Sequence, residues 1–150
     1  MSLKDTIQKD MKAALLGDDR FAGDTLRGLK AAILDEEVAK GKRDEGLTDE
    51  EVEKIVAREV KKRKESASLY EGNDRPELAE QEHKEAEVLS RYLPKQMSEG
   101  EIDALVKQKI IELGVSGPSA MGQVIGAVKQ QAGNSVDGAL VARIVKENLG

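Results

Sequence analysis

The chain has no cysteine and no tryptophan, and Phe21, Tyr70 and Tyr92 are its only aromatic residues. The lack of cysteine excludes disulfides, thiolate metal sites and thiol nucleophiles together. The scarcity of aromatics argues against a β-sandwich, and the apolar residues that remain, mostly Ala, Leu, Val and Ile, favour helices. His83 is the single histidine, so no second one can complete a metal pair, and neither a metal nor a cofactor is expected. No segment approaches the ~18 apolar residues of a membrane span, and the charged, amphipathic start "MSLKDTIQKDMKAALL" does not resemble a signal peptide. The expectation is a cytoplasmic protein with no membrane partner. With a net charge of −5, nucleic acid could be met only through a local basic patch.

Charge divides the chain. Residues 1–97 hold 23 acidic and 19 basic residues, whereas residues 98–150 hold only 6 and 5. Half of the 14 glycines lie between Gly114 and Gly150. Pro94 disfavours helix at Leu93, and Ser98 with Glu101 forms a capping-box signal for a new start. The expected domains are therefore residues 1–94 and 95–150, with Pro94 as a hinge.

The predicted fold is all-α. In the first domain, helical spacing predicts a helix from Ser2 to about Gly17, with Leu3, Ile7, Met11 and Leu15 on one face. A second helix ends near Lys40 and carries Phe21, Leu26, Leu29, Ile33 and Val38 as its apolar positions. A third opens at the Thr48/Glu51 capping box, and a fourth starts at Asp74 followed by Pro76. The second domain predicts a small three-helix bundle at about 99–113, 118–131 and 137–148, with a left-handed cap at Gly114.

Two features carry the functional argument. "REVKKRK" together with Lys54 places six basic residues in eleven, and Arg58, Lys61, Lys62 and Lys64 could grip phosphates. The competing reading pairs them with the acidic helix "LAEQEHKEAE" that follows. Gly122 and Gly126 share one helix face, although a mid-helix glycine costs about 1 kcal/mol relative to alanine. The expectation is a close-packing face inside the bundle, with a smooth surface for an external partner as the alternative. No P-loop, nucleophile elbow or calcium loop is present, so the residues themselves suggest no catalytic group and no stand-alone enzyme.

"TLRGLKAAI", "REVKKRKESASLYE", "YLPKQMSEGEI", "AMGQVIGAV" and "VDGALVARIVKENL" occur in this order along nearly the whole chain. This combination resembles the GatB/YqeY-domain family, specifically its stand-alone YqeY-like proteins. The resemblance implies an N-terminal helical domain and a C-terminal domain similar to the tail of the tRNA-dependent amidotransferase B subunit. It implies a non-catalytic module that binds tRNA or a tRNA-handling enzyme. The alternatives are a protein-interaction adaptor without RNA contact and the carbon–nitrogen ligase activity, with glutamine as amide donor, that the family label suggests. Carried onto this chain, the tRNA reading adds Lys129, Arg143 and Lys146 to the basic stripe. The family commonly places basic residues before the Asp-Gly pair, where this chain has Gln131, Gly133 and Ser135. That departure implies fewer phosphate contacts.

Overall fold

A computed structural model describes residues 1–150. It is all-α, with seven α-helices and two short 3₁₀ turns. The chain divides between Leu93 and Pro94 into two compact units, Met1–Leu93 and Pro94–Gly150.

The first unit contains α1 (Leu3–Leu16), α2 (Arg20–Ala39), α3 (Asp49–Gly72) and α4 (Pro76–Ser90). Three of these helices begin where side chains satisfy the first free backbone N–H groups, α2 through the Asp19 carboxylate, which accepts from Ala22 N–H at 3.1 Å. The Ser2 hydroxyl accepts from Asp5 N–H at 3.1 Å while the Asp5 carboxylate accepts from Ser2 N–H. Thr48 and Glu51 make the same reciprocal pair at the start of α3. Helix α4 starts differently from expectation. Asp74 lies in the left-handed region (φ 59°) and caps nothing, and Pro76 opens the helix, where its missing N–H is no loss.

The core of this unit is built from Ile7, Leu26, Leu29, Ile33, Val52, Ile55, Val56 and Leu89. Two predicted apolar positions stand outside it: Val38 is 58% exposed and Phe21 39%. A third unpredicted feature is Glu37, a carboxylate only 1% exposed. Both of its oxygens accept from the Lys4 ammonium, at 2.9 and 2.8 Å, and Leu47 N–H donates to it at 3.3 Å. The buried charge thereby ties α1, α2 and the 40–48 loop together. The Lys4 hydrogen bond holds its pKa below the ordinary glutamate value against the opposing effect of burial.

The second unit packs α5 (Glu99–Leu113), α6 (Met121–Ala132) and α7 (Gly138–Leu149) around Ile102, Val106, Val124, Val128, Val141 and Val145. Ser98 and Glu101 form the predicted capping box. Gly114 ends α5 with φ 63°, a conformation that side chains with a Cβ adopt only at a cost. Asp137 caps α7 through Ala139 N–H at 3.0 Å. Met97 N–H and the Gln96 amide donate to the carbonyls of Ser135 and Asn134, pinning the entry segment to the α6–α7 turn.

Candidate nucleic-acid interface

Helix α3 places Arg58, Lys61, Lys62 and Lys64 on its outer surface, but half of this cluster is already neutralised. Glu59, whose side chain is 9% exposed, accepts from Arg63 at 2.8 Å and sits 3.2 Å from Lys62 and 3.7 Å from Arg58. Arg58 also reaches Glu36 of α2 at 3.5 Å. Burial opposes ionisation of Glu59, yet the Arg63 and Lys62 hydrogen bonds outweigh it and lower its pKa. Arg58, Lys62 and Arg63 are thus paired with carboxylates, but not with those the competing sequence reading named. They use a glutamate within their own run and one from α2, not the acidic face of α4. Lys61 and Lys64 remain exposed, with no ion pair.

The sequence expectation for Gly122 and Gly126 is overturned. Both are exposed, and a Cβ added at either would meet no atom within 4 Å. The reason is rotational. Val124 and Val128, supported by Met121 and Ile125, turn the apolar stripe of α6 toward the core. The glycines lie on the opposite side of the helix. Gly23 in α2 shows what a packing glycine looks like, because its Cβ would fall 2.5 Å from Leu15 Cδ2.

The open side of α6 presents Gly122, Gln123, Gly126, Lys129 and Gln130, all exposed. The helix lies in a stretch that is unusual for this chain: residues 113–136 contain no aspartate or glutamate. Lys129 extends toward the first turn of α7, with its Nζ 3.2 Å from where a Cβ on Gly138 would be. Helix α7 adds exposed Lys146 and Arg143. Arg143 is held by Glu99 of α5 at 3.0 Å and by Glu147 at 2.9 Å, and these carboxylates raise its pKa further. Of the three C-terminal cations proposed for phosphate, only Arg143 would have to break ion pairs to meet one.

Catalytic geometry is not assembled around His83. It is exposed, 2.9 Å from Glu71, beside a shallow concavity of about 280 Å³ shared with Glu80, Lys84 and Glu87. No group of three His, Asp or Glu side chains is arranged to hold a metal ion. No helix is long and apolar enough to cross a membrane.

Comparison with known proteins places these features in a family context. The sequence is similar to proteins named altered inheritance of mitochondria protein 41, mitochondrial, from several fungi. The Lachancea thermotolerans protein is 34% identical over 75% of this chain and 60% of its own length. The Kluyveromyces lactis protein is 31% identical over 81% of this chain and 66% of its own. That of Pyrenophora tritici-repentis is 28% identical over 96% of this chain and 79% of its own. The chain therefore spans about three-fifths to two-thirds of the first two relatives, whose names carry a mitochondrial designation. The YqeY family (Yqey-like protein) matches residues 4–149, end to end across both units, and the chain belongs to that family.

Proposed function

We propose that this protein is a non-catalytic, tRNA-associated binding module, and that it meets RNA with the open side of α6 and the adjoining part of α7. The observation that carries this reading is the unfilled glycine face at Gly122 and Gly126 in the one long stretch without carboxylates. In a net acidic chain, such a surface is where a polyanion meets least repulsion. The absent Cβ atoms allow a sugar–phosphate backbone to come close, and Gln123 and Gln130 offer both donors and acceptors to ribose hydroxyls and phosphates. Lys129 and Lys146 supply the charge. The relatives' mitochondrial designation leaves the reading intact, because tRNA occurs in mitochondria as well as in the cytoplasm.

Two cations imply weak and only moderately salt-sensitive binding. Two phosphate contacts give a log–log salt slope of about −1.8, so affinity should fall roughly tenfold between about 50 and 200 mM salt. Binding of bulk tRNA to the full chain at these two salt concentrations tests the proposal. Lys129→Glu with Lys146→Glu should abolish binding, while Lys61→Glu with Lys64→Glu should leave it largely intact.

A second reading, a protein-interaction adaptor without RNA contact, draws support from the pairing of Arg58, Lys62 and Arg143 with carboxylates. Absence of tRNA binding at the lower salt concentration would favour it and reject the RNA reading.

A further inference from the structure

Arg143 is the third cation of the C-terminal unit's basic surface, and both terminal nitrogens of its guanidinium are already occupied. Nη1 donates to Glu147 at 2.9 Å, and Nη2 stands 3.0 Å from a carboxylate oxygen of Glu99. These two nitrogens are the fork with which an arginine grips a phosphate. The three side chains are nonetheless 49%, 67% and 59% exposed, so the group is held at the surface and not built into the core. Glu147 lies one turn further along α7, whereas Glu99 opens α5.

The position of Arg143 suits a phosphate contact. Val141, Ile144 and Val145 turn one side of α7 to the core. At 100° per residue, Gly138, Ala142, Lys146 and Arg143 follow one another in that order around the side away from it. Lys129 of α6 meets this arc at Gly138. Lys129, Lys146 and Arg143 therefore succeed one another across α7, from the border with α6 to the border with α5. Lys146 and Arg143 are three residues apart and so are neighbours on the helix surface. A phosphate backbone that meets the two lysines arrives beside Arg143.

We propose that Glu99 and Glu147 mask Arg143, a latent third phosphate contact, and thereby hold the RNA surface in a weak-binding state. The proposal rests on the RNA reading above and concerns how tightly the same site binds. One positive charge faces two negative ones, so the cluster as it stands repels a polyanion slightly. Exposed ion pairs are individually weak, so this mask sets the affinity of the surface without closing it.

The test is binding of bulk tRNA to the full chain between about 50 and 200 mM salt, with Glu99→Gln and Glu147→Gln combined. Freeing one contact should steepen the log–log salt slope from about −1.8 to about −2.7. The E99Q/E147Q chain should bind at least about fivefold more tightly at the lower salt, and its affinity should fall roughly fortyfold over the interval in place of tenfold. Removing two negative charges favours any polyanion, so further variants separate the field from the contact. Arg143→Gln in the unaltered chain should leave the slope near about −1.8, because a masked group makes no contact. Arg143→Gln added to E99Q/E147Q should return the steeper slope to that value. The thermal midpoint should change little in all of these chains, since the pairs are exposed. An unchanged slope in E99Q/E147Q, a steeper slope that survives the loss of Arg143, or a slope already reduced by Arg143→Gln alone would each overturn the mask and leave the RNA reading standing. Absence of tRNA binding by the unaltered and E99Q/E147Q chains alike at the lower salt would reject both.

Discussion

Replacing Gly122 and Gly126 with alanine should stabilise the C-terminal unit. Gly126 is in the interior of α6 and Gly122 is its second residue, and neither Cβ would meet an atom within 4 Å. Gly126→Ala therefore gains the full helix-propensity difference, about 1 kcal/mol, and Gly122→Ala, in the first turn, only part of it, with no overpacking to offset either. The pair should add to about 1–2 kcal/mol, because the two methyl groups share no crowded neighbour. For a unit of this size, that corresponds to a rise of about 4–16 °C in its unfolding midpoint. The sequence offers a convenient way to isolate the effect. Phe21, Tyr70 and Tyr92 all precede Pro94, so tyrosine fluorescence reports on the first unit alone, whereas far-ultraviolet circular dichroism reports on both. The stabilised transition should appear in the dichroism of the full chain. Gly23→Ala is the control, since its methyl group would collide with Leu15 and the propensity gain should be cancelled. If G122A/G126A lowers the stability of the C-terminal unit by 1 kcal/mol or more, the glycines are packed after all, and the open-face argument fails with them.

Other outcomes follow from the cores and caps. Glu37→Gln should destabilise the first unit by about 1–3 kcal/mol in urea unfolding, because it leaves the Lys4 ammonium without its charge partner and weakens the tie to Leu47 N–H. Asp137→Ala should cost the second unit about 1 kcal/mol through loss of the Ala139 N–H bond. Acid should weaken the first unit in a defined window. Thr48 N–H and Lys42 hold the Glu51 carboxylate at about 2, below its ordinary 4.5, and Glu37 is lowered as well. A lowered folded-state pKa contributes stability that is fully present above the unfolded value and is lost as pH falls through the folded one. Tyrosine fluorescence should therefore show stability declining between about pH 4.5 and 2, and Glu51→Gln should flatten that decline.

Much of the candidate surface could be read from the sequence by helical rotation alone. Gly122 and Gly126 are nearly opposite Val124 and Val128, so their exposure follows once the apolar stripe of α6 is assigned to the core. The packing expectation attended to the glycine spacing and not to this opposition. The carboxylate-free stretch 113–136 is likewise a plain sequence fact, although only its coincidence with an open helix face gives it meaning. The pairing of Arg58 was less legible. Glu36 lies on a different helix and comes within reach only when α2 packs beside α3, while Glu59, inside the basic run itself, is the carboxylate around which Arg58, Lys62 and Arg63 gather.

What the sequence determined by itself is local: the all-α class, the starts of α1, α3 and α5 at Ser2, Thr48 and Ser98, and the left-handed stop at Gly114. These depend on interactions within three or four residues, which the chain order specifies directly. Tertiary structure decided the rest. It buried Glu37 and supplied Lys4, 33 residues away, as its partner. It neutralised part of the basic stripe and left one face of α6 uncovered. Burial and charge pairing depend on which helices become neighbours, a property of the packed chain that no single segment contains.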